Sequence, residues 1–344
     1  MPLRAAEIYN GLNFTVRKPD FVLKRMMLNF MGYSLPRQLF IGVTYSCQCR
    51  CVHCNVSAFK QAKDNELSAP EIKKIIGDAK RYRIPKIVFF GGEPLLREDL
   101  AEFISYAASI RLEPSIFTNG ILLDDAMIGK LKKAGLAKCN VSLDSSRPEV
   151  HDRYRGYEGC FEKAAEGVRK LGKAGIRCTI WTIASKEDAA NDLVDLKRLI
   201  ESARGWGAHN VMVLFPMAAG NWEKKSESEI LLSREEREKV RKLYDPPFVC
   251  MEFPREDTRC VGGRRFIYID PKGTVSPCPS IPNSLGNIRR ESFDGMLRNF
   301  RKDTVPKTCM GECAMNKCGL FKKEEAEACR DVGYGPKAPP RSYF

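Results

Sequence analysis

Three cysteines with the spacing CxxxCxxC stand directly after the first apolar, strand-like segment of the chain. They are Cys47, Cys51 and Cys54. A loop this short can place three thiolates around one face of a cubane iron–sulfur cluster, which four cysteines normally complete. With three ligands, one iron keeps an open position, much as catalytic zinc sites do. The spacing therefore predicts an iron–sulfur loop with a free coordination position.

The other cysteines point to a second metal site. The chain has 14 cysteines, of which four lie between Cys47 and Cys54 and six between Cys260 and Cys329. Met1–Asn10 lacks the basic start and apolar run of a secretory signal. Clustered thiols in a reducing compartment favour metal binding over disulfides. We therefore expect a cytoplasmic metalloprotein with one site near each end.

The net charge of the chain is +14, from 57 basic and 43 acidic residues. This charge suggests an anionic partner or substrate, with simple solubility as the alternative. No recognised nucleic-acid motif accompanies it. Phe21–Met31 is a basic, methionine-rich amphipathic segment. We expect it to pack on the main domain, and contact with a membrane surface or a partner is the minority alternative.

From Leu39 onward, short apolar segments alternate with amphipathic ones. This alternation implies parallel βαβ units, and six of them predict an α/β fold with a partial (β/α)6 TIM-type barrel. A doubly wound sheet is the alternative, and either fold gathers its active site at the carboxyl ends of the strands. The predicted strands are Leu39–Thr44, Lys86–Phe90, Pro114–Thr118, Lys138–Leu143, Ile176–Ile183 and Asn210–Phe215, and the predicted helices lie near 69–83, 97–110, 124–134, 161–174 and 187–203.

Asp245-Pro246-Pro247 interrupts the chain and marks a domain boundary near 245. We expect an N-terminal extension with an amphipathic helix over 1–37, the barrel over 38–244, and a small cysteine-rich α+β domain over 245–344. In the last of these, Arg265–Asp270 and Thr274–Cys278 should form a hairpin around Pro271-Lys272-Gly273. Ser68 with Glu71 has the pattern of a capping box, and Ser233 that of an N-cap.

The cysteine loop resembles the signature of the radical S-adenosylmethionine (SAM) superfamily, and further motifs of that family follow in order over roughly 38–220. A GGEP motif follows the second strand, where the family binds the SAM amino group, and its two glycines allow close approach of backbone to ligand. An HDxxRG motif follows the fourth strand, and its arginine often pairs with the SAM carboxylate in the family. By this resemblance, the SAM-binding residues are Gly91, Gly92, Glu93, Pro94, Thr118, Asn119, Ser142, Asp144 and Arg155.

The resemblance also implies a mechanism. Cys47, Cys51 and Cys54 hold a 4Fe–4S cluster whose open iron chelates SAM, and an external reductant such as flavodoxin or ferredoxin supplies an electron. Cleavage of SAM yields a 5′-deoxyadenosyl radical that abstracts a hydrogen atom from substrate, while the protein binds and orients the reactants. Cys49 lies outside the ligand spacing. As a fourth ligand it would remove the open position.

Cys260, Gly273 and Cys278 match the opening of the SPASM domain, an auxiliary-cluster module of many radical SAM enzymes. The later cysteines depart from the usual spacing of that domain. The resemblance therefore leaves two arrangements open: two auxiliary 4Fe–4S clusters with Cys250 as a further ligand, or one cluster in a shortened, twitch-like domain. A structural zinc knuckle is a further alternative. The ligands implied are Cys260, Cys278, Cys309, Cys313, Cys318 and Cys329.

In SPASM-type relatives the auxiliary cluster accepts or relays an electron, which favours oxidation. The leading hypothesis is a radical SAM maturase that oxidises or cross-links a ribosomal peptide, although an extension of residues 1–37 is short for a peptide-recognition module. The alternative is dehydrogenation, epimerisation or decarboxylation of a small metabolite, such as a sugar, aminocyclitol, tetrapyrrole or lipid. A non-catalytic iron–sulfur protein and a zinc protein that binds nucleic acid are alternatives of another class. The sequence identifies no acid or base.

Overall fold

The computed structural model describes residues 35–299 apart from 57–63, 256–257, 259, 261, 264 and 281–283. The predicted amphipathic helix of the N-terminal extension lies outside the described residues. So do four of the cysteines predicted as auxiliary-cluster ligands, which are Cys309, Cys313, Cys318 and Cys329.

One ten-stranded sheet organises the described chain. Strands β1 to β7 follow one another across it in parallel, and β8 pairs in parallel with the free side of β1. Two antiparallel strands, β9 and β10, extend the sheet beyond β8. The strands are β1 (Gln38–Thr44), β2 (Lys86–Gly91), β3 (Glu113–Thr118), β4 (Lys138–Ser142), β5 (Arg177–Ile183), β6 (Asn210–Leu214), β7 (Val249–Met251), β8 (Phe266–Ile269), β9 (Thr274–Ser276) and β10 (Gly286–Asn287).

Helices connect the parallel strands, as βαβ units require. Two short 3₁₀ helices, Pro94–Leu96 and Gly220–Lys224, follow β2 and β6. The α-helices are α1 (Ala69–Arg81), α2 (Leu100–Ser109), α3 (Asp125–Lys133), α4 (Pro148–Arg155), α5 (Cys160–Lys173), α6 (Lys186–Ala190), α7 (Val194–Gly205), α8 (Glu227–Ile230), α9 (Arg234–Arg241) and α10 (Phe293–Asn299). No helix in this described part of the chain is long and apolar enough to span a membrane.

The two faces of the sheet have different partners because side chains alternate along a strand. On β1, Leu39, Ile41 and Val43 join the main core beneath the helices. The intervening residue Phe40 faces the other way and packs with Val88 and Tyr268 in a second, mainly aromatic cluster. This second face is the barrel interior. The structure therefore confirms the predicted α/β fold with a parallel, partial TIM-type barrel sheet.

The six predicted strands coincide with β1 to β6, and Ser68 and Ser233 both start helices through capping boxes. The helix predicted over 187–203 is instead divided into α6 and α7. Asp192 and Leu193 have φ angles of 51° and 58°, which no helix accommodates. The Asp188 carboxylate then accepts hydrogen bonds from the first backbone N–H groups of α7, at 3.0 and 2.9 Å.

The sheet continues on both sides of the predicted domain boundary near 245. Asp245 follows α9, and both β7 and β8 add to the sheet of the barrel. The predicted hairpin is confirmed as β8 and β9. Its turn is held by the Asp270 carboxylate, which accepts the Lys272 and Thr274 N–H groups at 2.9 and 2.8 Å. Asp270 thus has the structural role that its turn sequence indicates.

Candidate active site

The cysteine loop follows β1 at the carboxyl end of the barrel strands. Cys49, Cys51 and Cys160 form a buried cluster, with Cys47 and Cys54 packed against it as half-buried residues. All five are free thiols. Within the described ranges, no three metal-binding side chains converge closely enough to hold a single ion. A cluster of several atoms needs its ligands farther apart than one ion does, so the predicted ligands share one place without forming a single-ion site.

The carboxyl end of α4 holds the middle of this loop. The Arg50 N–H donates to the Arg155 carbonyl oxygen at 2.8 Å, and the Val52 N–H donates to the Tyr154 carbonyl oxygen at 2.9 Å. Gly156 ends the helix at φ 59°, and a Cβ there would lie 2.7 Å from the Arg50 carbonyl oxygen. The HDxxRG motif therefore ends in glycine because the cysteine loop passes directly against it.

The loop after β6 supports the other end of the cysteine loop. The Asn221 side-chain amide donates to the Cys51 carbonyl oxygen at 2.9 Å. The Asn221 backbone N–H donates to the Cys54 carbonyl oxygen at 3.2 Å. A Cβ at Gly220 would lie 2.4 Å from the same Cys54 carbonyl oxygen. This contact could not be predicted from the sequence, because nothing local distinguishes Asn221 from an ordinary loop residue.

The GGEP segment lies against the backbone that precedes the first cysteine. The Gly92 N–H donates to the Thr44 carbonyl oxygen and the Glu93 N–H to that of Ser46, both at 2.7 Å. A Cβ on Gly91 would lie 2.3 Å from the Thr44 carbonyl oxygen, and a Cβ on Gly92 would lie 2.2 Å from the Ser46 carbonyl oxygen. The two glycines thus permit the close approach of another chain segment, a requirement that exists before any ligand binds.

Glu93 is buried and precedes the 3₁₀ helix that Pro94 begins. One carboxylate oxygen accepts the Leu95 N–H at 3.1 Å and the Thr118 hydroxyl at 2.8 Å, and the other accepts the Asn119 N–H at 2.8 Å. Burial raises the pKa of Glu93 to about 7, although these hydrogen bonds oppose the rise. The structure thus joins three of the predicted SAM-binding residues in one network.

The remaining predicted residues meet around β4. The Asp144 carboxylate and the Arg155 guanidinium form a buried ion pair at 2.8 Å, and Ser142 lies half-buried at the strand end. Burial favours a higher pKa for Asp144, but Arg155, together with His53 and His151, outweighs burial and lowers the pKa below its usual value. The Arg155 Nη1 also lies 3.9 Å from the Cys51 sulfur, and the Asn119 side-chain nitrogen lies 4.0 Å from the Cys47 sulfur.

Two cysteines that the sequence left without a role lie beneath the loop. Cys49 and Cys160 are both fully buried. Hydrogen bonding to Cys160, and then to Cys47 and Cys51, raises the pKa of Cys49 well above its ordinary value. Cys49 thus lies buried in contact with the neighbouring cysteines. No local pattern connects Cys160 with the loop, because it comes from α5, more than one hundred residues later.

Several buried polar atoms around the loop have no hydrogen-bond partner in the described structure. They include both amide atoms of Gln48, Nδ1 of His53 and Nε of Arg155. Native proteins rarely leave such groups unpaired, and each one calls for an explanation. A bound group with polar and thiolate-coordinated atoms would provide partners for them. The residues present therefore fit an iron–sulfur cluster with a polar ligand.

The C-terminal pair Cys260 and Cys278 also comes together. Both sulfurs lie 3.7 Å from the position that a Cβ would occupy at Gly262. The Cys250 sulfur contacts the Asn210 amide at 3.8 Å and the Pro247 carbonyl oxygen at 3.6 Å. The Asn55 amide donates to the Ser280 hydroxyl at 2.8 Å, which links the two cysteine regions directly.

Comparison with known proteins was consistent with these two sites. The model of the radical SAM superfamily matches residues 41–215. The model of the SPASM iron–sulfur cluster-binding domain matches residues 260–319, a range that includes Cys309, Cys313 and Cys318 but not Cys329.

Two curated relatives and one solved structure illustrate the similarity. The AdoMet-dependent heme synthase of Methanosarcina barkeri is 30% identical over 87% of this chain and 92% of its own length. The PqqA peptide cyclase of Granulibacter bethesdensis is 28% identical over 71% of this chain and 67% of its own. The structure of Streptococcus suis SuiB bound to S-adenosylmethionine has a TM-score of 0.65 at 15% identity, with 89% of this chain and 81% of SuiB covered. The last comparison concerns the fold alone.

Proposed function

Since this chain belongs to the radical SAM superfamily and carries a SPASM iron–sulfur domain, we propose that it oxidises a side chain of an iron tetrapyrrole. The observation that carries this proposal is the 30% identity to a heme synthase, which extends over 92% of that enzyme and thus over both cysteine regions. The protein is an enzyme whose cofactors are 4Fe–4S clusters and SAM. When bound, these cofactors supply the radical that removes a hydrogen atom from substrate.

We assign the cofactor-binding roles as follows. Cys47, Cys51 and Cys54 ligate the SAM-binding cluster, since they share one packed loop and Cys49 lies almost fully buried against it. Glu93 holds the SAM amino group, and its position is fixed by three hydrogen bonds from the protein. The remaining SAM-contacting groups are Gly91, Gly92, Pro94, Thr118, Asn119, Ser142, Asp144 and Arg155.

Arg155 serves both the cluster loop and SAM in this assignment. Its guanidinium faces Asp144 and the Cys51 sulfur, so it offsets the negative charge that thiolate ligands bring. Its Nε has no partner in the described structure and is available to the SAM carboxylate. In the C-terminal domain, Cys260 and Cys278 hold an auxiliary cluster together with cysteines among Cys309, Cys313, Cys318 and Cys329.

The chemistry that fits a heme-related substrate is oxidative decarboxylation of a propionate side chain. Removal of one hydrogen atom from the carbon β to the carboxylate leaves a carbon radical. Loss of CO₂ and one electron from that radical then forms a vinyl group. No proton enters or leaves this sequence. An auxiliary cluster held by Cys260 and Cys278 would accept this electron, and the Asn55–Ser280 hydrogen bond joins that region to the cysteine loop.

Two properties of the chain support a flat, anionic substrate. Phe90, Phe117 and Trp181 line the barrel interior as half-buried side chains, and the Phe117 and Trp181 rings are 4.6 Å apart. Such rings stack well on a flat aromatic macrocycle. The net charge of +14 favours a substrate that carries several carboxylates.

The test is an anaerobic reaction of the reconstituted protein with SAM, a reductant and iron coproporphyrin III, which carries propionates where heme carries vinyl groups. We expect 5′-deoxyadenosine and a tetrapyrrole that has lost one carboxyl group and one hydrogen atom per converted side chain, as read by mass spectrometry. A variant with Cys47, Cys51 and Cys54 all changed to Ala should form neither. Formation of 5′-deoxyadenosine with no change in the tetrapyrrole would refute the proposed substrate.

Oxidation or cross-linking of a peptide is the second candidate, because the PqqA peptide cyclase is 28% identical over 71% of this chain. A cyclase of this kind would convert a peptide encoded beside its gene and would leave iron coproporphyrin III intact. We further propose that the helix-connected βα units of the barrel end near residue 244, that flavodoxin or ferredoxin is the reductant, and that the protein works in the cytoplasm, where free thiols persist.

A further inference from the structure

Glu252 lies at the carboxyl end of β7, at the same edge of the sheet as the cysteine loop. Its N–H donates to the Val213 carbonyl oxygen at 3.3 Å and so extends the pairing of β7 with β6 by one residue. Val249, Met251 and Phe253 all belong to the core beneath the helices, and the Phe253 ring lies 6.4 Å from that of Phe215. Because side chains alternate, the Glu252 carboxyl lies on the barrel-facing side.

The inner surface beside Glu252 is apolar. The register of β6 and β7 pairs Val213 with Met251, so Leu214 is the next residue opposite Glu252, and Leu214 in turn pairs with Ile183 of β5. Glu252 and Leu214 are half-buried, which leaves the carboxyl within reach of a ligand.

No hydrogen bond or ion pair reaches the Glu252 carboxyl from the described part of the chain. Arg241 lies against the core-facing side of this segment, over the Phe215 ring. Its Nε donates to the Phe253 carbonyl oxygen at 3.2 Å, and its guanidinium pairs with Glu238. Burial alone raises the pKa of Glu252 to about 7.

An unpaired, desolvated carboxyl destabilises a protein, and groups of this kind concentrate at functional sites. A lysine or arginine beside Glu252 would have reduced this destabilisation, but none of the described residues pairs with its carboxyl. The arrangement instead suits a carboxyl that keeps its proton at neutral pH and uses it as a hydrogen-bond donor.

We propose that Glu252 contacts the substrate and, in its neutral form, donates a hydrogen bond to a substrate carboxylate. This inference rests on the proposed function, which gives the substrate propionate groups. A carboxylate and a neutral carboxylic acid attract each other, whereas two carboxylates at the same distance repel. Binding of the substrate therefore takes up one proton whenever Glu252 is ionised in the free enzyme.

The test compares Glu252→Gln with Glu252→Ala in the reconstituted holoenzyme, titrated anaerobically with iron coproporphyrin III and followed by its absorbance. Glutamine keeps a neutral donor, so we expect its affinity to equal that of the wild type at pH 6 and to stay constant up to pH 8. Alanine should bind about tenfold more weakly, as expected for one lost hydrogen bond to a charged group. The wild-type affinity should fall between pH 6 and 8. Glu235→Gln, at an exposed site on α9, should retain the wild-type affinity and the wild-type fall with pH.

Equal weakening by glutamine and alanine would show that Glu252 acts as an anion, and unchanged binding in both would show that it does not contact the substrate. Either result overturns the inference while the proposed function stands. If the wild type fails to bind the tetrapyrrole, the proposed function fails and this inference fails with it. Iron content and melting temperature identify any variant that has misfolded. If a variant has misfolded, the proposal is tested by the wild-type affinity for the tetrapyrrole as a function of pH. A constant affinity between pH 6 and 8 contradicts the proposal.

Discussion

At the scale of single residues, the absence of a side chain at Gly92 shapes the site. A methyl group there would lie 2.2 Å from the Ser46 carbonyl oxygen, directly before Cys47. We expect Gly92→Ala to displace the loop, to destabilise the protein by about 2 kcal/mol or more, and to lower the iron content of the reconstituted protein. The control is Gly129→Ala in α3, where a Cβ meets nothing within 4 Å. It should retain iron and gain up to about 1 kcal/mol. Full iron content in Gly92→Ala would contradict the steric argument.

The Asp144–Arg155 pair makes a second prediction at this scale. The two side chains are only 1% and 10% exposed. Changing Arg155 to Met leaves a buried carboxylate without its partner, which typically costs about 3–5 kcal/mol. Adding Asp144→Asn removes that charge, so the double variant should be more stable than Arg155→Met alone. Urea denaturation of the anaerobic proteins measures both values. A double variant less stable than the single one would contradict a mainly electrostatic role.

At the scale of elements, α4 fixes the positions of its neighbours. Its carboxyl end holds the cysteine loop, and its Asp152 carboxylate accepts the Gly159 and Phe161 N–H groups at 2.6 and 2.8 Å where α5 begins. Asp152→Ala should therefore lower the unfolding free energy by about 1–2 kcal/mol, as loss of a helix cap does. Glu162→Ala changes an exposed acid in the first turn of α5 and should cost less than about 0.5 kcal/mol. Equal losses in thermal or urea unfolding would refute the capping role.

At the scale of the whole molecule, Arg289 connects the C-terminal region to the cysteine loop. Its guanidinium binds the Glu71 carboxylate at 2.6 and 3.0 Å and the Asn65 carbonyl oxygen at 2.8 Å. The neighbouring Glu66 accepts the Tyr45 N–H at 2.7 Å. We expect Arg289→Ala to lower the unfolding free energy by about 1 kcal/mol, because the pair is partly exposed. Arg290→Ala, an exposed neighbour, should have little effect.

The same contact has a defined pH dependence. Hydrogen bonding to Arg289 lowers the pKa of Glu71 from 4.5 to about 2. An acid whose pKa is lower in the folded state stabilises the fold above its unfolded pKa and loses that contribution as the pH falls. The difference in unfolding free energy between wild type and Arg289→Ala should thus be largest above about pH 4.5 and shrink towards pH 2. A difference that is constant over this range would show that the ion pair contributes nothing.

The sequence predicted those parts of the molecule whose signal is local. Cys47 and Gly92 belong to short motifs, and the six barrel strands are continuous apolar runs, so both could be recognised without the fold. Cys160 and Asn221 reach the site through tertiary contacts that leave no local pattern. Helix α4 was not predicted as a helix although its motif was recognised, because it is only eight residues long and mostly polar. Glu252 was not identified because its surroundings depend on the register of β6 and β7.

The pairing of β8 with β1 has a consequence for how the protein is made. Gln38 pairs with Phe266, so one neighbour of the first strand leaves the ribosome only when most of the chain has been synthesised. Until then, β1 and the cysteines that follow it belong to an open sheet edge, and such distant pairings form slowly. That side of β1 therefore stays unpaired until late in synthesis, and a nascent chain arrested before the 260s would expose it to pairing with other chains.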